Sequence, residues 1–120
     1  MQHLRIASLL LFGMVVFAGV QTAVADVQYS FTTIDFPGAD NTSVFRIDNE
    51  GDIVGVYTMH GDAHGFALDK GKFTTLDDPN ASSSTIIFDV NSHDRIVGGF
   101  IDVSGHNHAF TATCPAGAVF

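Results

Sequence analysis

The chain has 120 residues with 13 acidic and 5 basic side chains, a formal net charge of −8 at neutral pH. All acidic residues lie after residue 25, so that part carries a formal charge near −9 against only Arg46, Lys70, Lys72 and Arg95. This charge argues against nucleic-acid binding, which needs a basic patch to displace counterions, and it disfavours adhesion to anionic lipid. The single cysteine, Cys114, excludes an intrachain disulfide.

Residues 1–25 have the three regions of a secretory signal peptide. Arg5 supplies the positive region, residues 6–20 are largely apolar, and Ala23-Val24-Ala25 provides the small-residue cleavage pattern. We therefore predict export to the extracellular space or the periplasm, with cleavage before Asp26 and no membrane contact afterwards. A membrane anchor is the alternative, but an apolar run of about 15 residues is shorter than the roughly 20 that span a bilayer.

Residues 26–120 form one predicted domain in which the same landmarks occur twice. Phe31-Thr32-Thr33 returns as Phe73-Thr74-Thr75, Ile53-Val54-Gly55 as Ile96-Val97-Gly98, and His64-Gly65-Phe66 as His108-Ala109-Phe110. The offsets are 42, 43 and 44 residues. A fixed period in this range indicates a repeat architecture, in which one supersecondary unit stacks on the next. Repeat one covers about residues 29–70, and repeat two covers about residues 71–114.

Each repeat is predicted to form four strands. Helical periodicity is absent, whereas short runs of Val, Ile, Phe, Tyr and Thr alternate with turn-forming residues. The predicted strands are residues 29–36, 43–48, 52–58 and 64–69 in repeat one, and residues 72–77, 85–91, 95–101 and 107–113 in repeat two. Glycine at Gly51 and Asp94 in the matching place suit the short turns between the second and third strands.

The third strand of each repeat is apolar on both faces, which is typical of a sheet covered on both sides. The predicted fold is therefore all-β, with two tandem four-stranded antiparallel repeat units resembling β-propeller blades. A two-sheet β-sandwich is the alternative. Two units do not close a propeller, and repeat arrays need about three or more units to bury their faces. We therefore expect self-association, or packing against another β-repeat surface.

The segment from Phe45 to Gly55, followed by His64-Gly65-Phe66, resembles the HAF-repeat family of probable bacterial extracellular repeats, and His108-Ala109-Phe110 carries the naming triplet of that family. The resemblance covers nearly all of residues 26–120. Arg46 and Asp89 replace the small residue that is usual before the apolar position, and Asp94 replaces the turn glycine of repeat two. The resemblance implies an exported, repeat-built β protein and assigns no catalytic or binding residue.

Histidine and aspartate supply the candidates for metal binding. His106 and His108 are two residues apart and would share a strand face, and together with His60 or an acidic neighbour they could ligate zinc or copper. Asp48 and Asp52 flank a turn that superficially resembles a calcium loop without the ligand spacing of an EF-hand. Structural hydrogen bonding is the competing interpretation for the repeated histidines, because a residue that recurs with the unit usually serves the unit.

No catalytic assembly and no cofactor motif is present, so the sequence predicts a protein that is not an enzyme. The Gly-x-Ser-x-Gly, phosphate-loop and His-Glu-x-x-His patterns are absent. Asp77 and Asp78 are adjacent and would point to opposite faces of a strand, which prevents paired acid–base chemistry. Cys114 lacks the electropositive surroundings that a reactive thiol needs.

Two functional hypotheses follow. The first is an exported, non-enzymatic β-repeat module for surface recognition or self-assembly, whose contacts come from the loops at residues 38–42 and 80–84 or at residues 59–63 and 103–107. The second is a small exported hydrolase or lyase whose site forms between assembled chains. Abnormal titration of Asp35, Asp77, His64 or His108 would favour the enzyme. A shortened copy of a longer repeat array is a third possibility.

Overall fold

The computed structural model describes residue 19 and residues 24–114. The predicted signal peptide therefore lies almost entirely outside the described residues. The chain divides into two units, residues 1–31 and residues 32–120. In the first unit, residues 24–31 are exposed chain without helix or strand. Among the described residues, no helix is long and apolar enough to cross a membrane.

Seven strands form one mixed sheet and no helix occurs among residues 24–114. The strands are β1 Asn41–Ile47, β2 Ile53–Met59, β3 Asp62–Asp69, β4 Lys72–Thr75, β5 Ser84–Val90, β6 Arg95–Ile101 and β7 Asn107–Thr113. The order is β1-β2-β3-β5-β6-β7, with β4 paired to β3. The all-β prediction is confirmed, but the propeller-like arrangement is not, because the sheet is not closed.

The two antiparallel meanders β1–β3 and β5–β7 match in register. A bulge skips Phe45 in the β1–β2 pairing, and a bulge skips Phe88, which lies 43 residues later, in the β5–β6 pairing. The connecting turns match as well. Gly51 has φ 93°, and Asp94 has φ 54° in the corresponding turn of the second meander. Asp94 therefore takes the left-handed conformation for which glycine is the usual residue, and aspartate is one of the few side chains that tolerates it.

The predicted first strand of repeat one is wrong. Residues 29–36 are described and contain no strand, so seven strands replace the predicted eight. The reason is visible in repeat two, where β4 pairs antiparallel with β3 of the preceding repeat. A strand needs a partner edge to satisfy its backbone groups, and none of the described strands offers residues 29–36 the edge that β3 offers to β4.

The core lies between the two meanders, since β5 packs across β1 and β2. Its buried cluster joins Val54 and Ala67 of the first meander to Ile87, Val90 and Ile96 of the second. Leu76, Phe110 and Cys114 pack against this cluster. One face of the first meander therefore covers one face of the second, which leaves the two remaining faces at opposite ends of the pair.

Candidate functional site

Equivalent apolar positions in the two meanders differ sharply in exposure at the β1 end of the molecule. Ile87 and Val90 of β5 are 0% and 3% exposed. Their counterparts 43 residues earlier, Val44 and Ile47 of β1, are 44% and 59% exposed. The same row of side chains is therefore core in one meander and surface in the other. We call Val44, Ile47 and the strand that carries them the β1 surface.

The opposite end shows the reciprocal difference. Val54 and Ala67, cross-strand partners in the first meander, are fully buried. Their counterparts Val97 and Thr111, again cross-strand partners, are exposed. A groove of about 340 Å³ lies beside them, and its lining includes Ile86, Phe88, Gly99, Ile101 and Ala109. We call this exposed face of the second meander, with the outer edge of β7, the β7 surface.

The outer edge of β7 pairs with no strand among the described residues. The matching edge of β3 is occupied twice, by β4 along residues 66–69 and by a parallel contact between Ala63 and Ser84 of β5. An unpaired edge presents a row of backbone donors and acceptors to any chain that can lie along it. The β7 surface thus combines an apolar face with an open hydrogen-bonding edge.

Two further contacts join equivalent positions of the meanders. The rings of Phe45 and Phe88, both about half exposed, have centroids 6.1 Å apart. Arg46 Nε lies 3.3 Å from Asp89 Oδ1 in an exposed ion pair. Stacking of the two meanders therefore brings each bulge residue over its own counterpart, and it sets a cation against an anion at the next position.

His64 is held by a carboxylate from the next repeat. Its Nδ1 lies 2.7 Å from Asp77 Oδ2, and the Gly65 backbone N–H donates to Asp77 Oδ1 at 3.3 Å. The imidazole also stacks on Tyr57, with centroids 5.0 Å apart. Asp77 therefore anchors the segment after β4 onto β3, which supports the structural interpretation of His64.

A cavity of about 80 Å³ beside His64 and Asp77 is lined in part by Ser82, Ser83 and Ser84. A histidine–aspartate pair next to serines raises the possibility of nucleophilic catalysis. However, the Ser82 hydroxyl donates to the carbonyls of Ile101 and Asp102 at 3.3 and 2.8 Å. Within residues 24–114 no serine hydroxyl hydrogen-bonds to His64. The pair therefore lacks an activated nucleophile in this arrangement.

Asp102 organises the β6–β7 turn and holds the second repeated histidine. His108 Nε2 lies 2.8 Å from Asp102 Oδ2, and Asp102 Oδ1 accepts the backbone N–H groups of Ser104 and His106 at 2.8 and 2.9 Å. The side-chain hydrogen bond from His108, followed by the backbone N–H of His106, holds the pKa of Asp102 below its usual value. The His106 ring is more distant, with Nδ1 3.8 Å from Asp102 Oδ2.

The β1–β2 turn concentrates carboxylates. Asp48 Oδ1 accepts the backbone N–H groups of Glu50 and Asp52, each at 2.9 Å, as the sequence-predicted turn requires. Asp52 is 9% exposed. Burial first, then the charge of Asp48 and the charge and hydrogen bond of Asp69, raise its pKa from 3.8 to about 6. The protonation of Asp52 therefore changes near pH 6.

The structure places the sequence-predicted metal candidates in three different turns. His60 lies in the β2–β3 turn with φ 55°, Asp48 and Asp52 lie in the β1–β2 turn, and His106 precedes β7, which begins at Asn107 and carries His108. Across residues 24–114, no group of three or more His, Cys, Asp or Glu is arranged to hold a metal ion.

Sequence reasoning missed the β1 and β7 surfaces. Val44 and Val97 were visible only as members of apolar strands, and nothing in their own sequence context separates them from their buried counterparts. Aligning the repeats position by position gives the missing signal, because it shows which apolar rows have a partner inside the chain.

A scan against protein-family models finds no match, and searches of curated proteins and of solved structures find none either.

Proposed function

We propose that this protein is an exported, non-enzymatic β-repeat module that acts by packing its two end surfaces against other β-repeat units. One observation carries the proposal: the positions exposed at the β1 and β7 surfaces are those whose equivalents in the other meander form the buried core between the meanders. Exposed apolar rows of this kind mark interaction surfaces, since stable monomers rarely leave them uncovered.

A propeller-like interpretation of the sheet agrees with this function. In that interpretation β1–β4 would be one four-stranded blade, and β5–β7 would be a blade without its outermost strand; the strand order is compatible with it. The resemblance to HAF repeats and the signal-peptide pattern agree with an extracellular or periplasmic repeat protein. Units of this type bury their faces only by stacking on neighbours.

Light scattering over a dilution series, on the protein processed from the full-length chain, tests the proposal. We expect a mass above that of the monomer at micromolar concentration. Substituting Val44→Asp or Val97→Asp places an unpaired charge on an end surface and should return the mass to that of the monomer. Val103→Asp is the matched control, because Val103 is 90% exposed in the β6–β7 turn and does not line the groove of the β7 surface.

Two results would contradict the proposal. The first is a folded monomer at every concentration that also shows no binding to other β-repeat proteins. The second is an oligomer on which Val44→Asp and Val97→Asp act no more strongly than Val103→Asp. Export is tested separately by fractionating a Gram-negative expression host and sequencing the N-terminus, for which we expect Asp26.

A further inference from the structure

We propose that the partner is a second copy of this chain, and that residues 32–35 of one copy add as a strand to the outer edge of β7 of the next. This inference rests on the proposed function and specifies its partner, polarity and register. The association is head to tail, with the β1 surface of one copy on the β7 surface of another.

The junction between β3 and β4 supplies the geometry. Phe66 pairs with Thr75 and Ala67 with Thr74. The Leu76 backbone N–H then donates to the Gly65 carbonyl at 2.8 Å. The repeat offset of 44 residues converts the β3 positions to positions in β7, and the offset of 42 converts the β4 positions to the segment before β1. The same junction between copies pairs Phe110 with Thr33 and Thr111 with Thr32.

Both halves of this junction are available. Thr32, Thr33 and Asp35 are exposed, and residues 32–35 form neither a strand nor a hydrogen bond among the described residues. On the other side, β7 pairs only with β6 within the described chain. Within residues 24–114, residues 32–35 have no strand to pair with, and the outer edge of β7 has no strand beside it. The two are complementary, since each leaves backbone groups that the other can satisfy.

The anchoring aspartate is repeated as well. Asp35 stands 42 residues before Asp77, and His108 stands 44 residues after His64. His108 uses Nε2 for Asp102, and its Nδ1 has no hydrogen bond within the described chain. Nδ1 is the atom through which His64 meets Asp77. Asp35 of the incoming copy can therefore contact His108 as Asp77 contacts His64, without displacing Asp102.

The apolar contacts change by one exchanged methyl group. Inside the chain Ile87 lies over Gly65, where an added Cβ would stand 2.6 Å from Ile87 Cγ1. Between copies the corresponding pair is Val44 over Ala109. The side chain on one partner gains a carbon where the other loses one, so the total volume is conserved, as well-packed interfaces require. The Ala109 methyl would also approach the Ile34 carbonyl, since Leu76 O would lie 2.5 Å from a Cβ on Gly65. The incoming segment must therefore sit a few tenths of an ångström further out.

Charge and aromatic positions favour the head-to-tail polarity. Arg46 faces Asp89 inside the chain, and continued stacking would set Asp89 of one copy against Arg46 of the next. Phe88 would likewise meet Phe45 of the next copy, as it meets Phe45 of its own chain. A head-to-head dimer through two β7 surfaces would instead bring Asp89 towards Asp89, which like-charge repulsion disfavours.

Cysteine cross-linking between two different chains tests the register. In a Cys114→Ala background, whose melting temperature is checked first, one chain carries Thr32→Cys and the other carries Thr111→Cys. Directly opposed residues of an antiparallel pair have Cα atoms about 4.5–5.5 Å apart, within reach of a disulfide. With diamide as oxidant we expect a covalent dimer from the mixture, at least tenfold more than from either chain alone.

Thr33→Cys mixed with Thr111→Cys is the control, because a shift of one residue turns the side chain to the other face of the sheet. Equal cross-linking of the two mixtures would overturn the proposed register. A double variant carrying Thr32→Cys and Thr111→Cys that closes a disulfide within one monomer would show that the segment folds back on its own chain, and would overturn the inference.

The light-scattering series separates the two proposals. An oligomer that Val44→Asp disperses, but in which Thr32→Cys and Thr111→Cys chains do not cross-link, would leave the module function standing and remove the strand addition. A monomer that shows no binding to any β-repeat protein would remove both. Cross-linking in the expected mixture, together with dispersal by Val44→Asp, supports both.

Discussion

The side chain of Ile87 lies directly over Gly65, close enough that a Cβ on Gly65 would stand 2.6 Å from Ile87 Cγ1 and 2.5 Å from the Leu76 carbonyl. Gly65 itself is buried in β3. The two meanders can therefore approach each other at this point only because position 65 has no side chain. This glycine is needed for packing rather than for a special backbone angle. Its substitution therefore tests the packing between the two meanders.

Gly65→Ala should destabilise the protein by about 2 kcal/mol, because the new methyl overpacks a closed contact that includes backbone. Gly99→Ala is the control, since a Cβ there would be 3.3 Å from its nearest neighbour, the His108 carbonyl. Equilibrium urea unfolding measures both. Combining Gly65→Ala with Ile87→Val should recover part of the loss. Equal stabilities of the two alanine variants would show that the contact relaxes freely.

Asp52 predicts a pH dependence of stability whose sign is opposite to that produced by most carboxylates. Its pKa is raised from 3.8 to about 6 by burial and by Asp48 and Asp69. Between those values the folded state binds more protons than the unfolded state, so the free energy of unfolding falls as the pH rises. The slope from this group is at most about 1.4 kcal/mol per pH unit.

Asp52→Asn should therefore be more stable relative to the parent at pH 7.5 than at pH 4.5. Urea titrations at a series of pH values measure this difference. Asp62→Asn, at an exposed position that begins β3, is the control for the removal of one carboxylate. A stability difference between Asp52→Asn and the parent that stays constant from pH 4 to pH 7 would contradict the prediction.

Asp102 predicts a pH dependence of stability with the sign that is usual for carboxylates. Its pKa is lowered by the hydrogen bonds from His108 and His106, so its ionised form stabilises the folded state above the usual pKa of 3.8, and this contribution is lost as the pH falls. Asp102→Asn keeps one acceptor for the turn N–H groups and removes the charge. We expect its melting temperature to be a few degrees below that of the parent at pH 7, with the gap narrowing below pH 4. A gap that widens in acid would contradict this.

Exchange of a methyl group across the proposed junction gives a prediction for self-association. Ala109→Gly combined with Val44→Ile recreates at the ends the pair that Gly65 and Ile87 form inside the chain. The incoming segment can then approach more closely, because the tight contact of the Ala109 methyl with the Ile34 carbonyl is relieved, and we expect a dissociation constant roughly fivefold lower, the effect of about 1 kcal/mol of overpacking. Sedimentation or light scattering measures it. Ala109→Gly alone should do less, and a weaker association of the double variant would contradict the model of the junction.

Seven of the eight predicted strands exist, with ends within about two residues of the predicted ones and with β6 and β7 as predicted. Local residue preference and turn chemistry decide such elements, so the sequence is sufficient for them. The failure at residues 29–36 has a different origin, because those residues are as strand-prone as β4 and differ only in having no edge to pair with.

In the candidate site, too, residue chemistry could be predicted from the sequence, whereas burial could not. The chemistry of His64 and His108 is visible in the sequence, and in the structure each ring contacts a carboxylate, Asp77 and Asp102 respectively. Val44 and Ile87 are interchangeable as sequence, yet one is surface and the other is core. Burial depends on the neighbour that each strand meets in space, and a single repeat does not contain that information.

The attachment of β4 to β3 has a practical consequence for dividing this protein. The sequence period changes near residue 70, but the antiparallel pairing of β3 with β4, from Phe66 opposite Thr75 to Asp69 opposite Lys72, crosses that point. A cut at the sequence boundary would separate β4 from its partner β3. Each of the two fragments would then carry an unpaired strand edge. A cut between Thr75 and Ser84 would keep β1–β4 together. The two repeats are thus joined by the pairing of β4 with β3 as well as by the covalent chain.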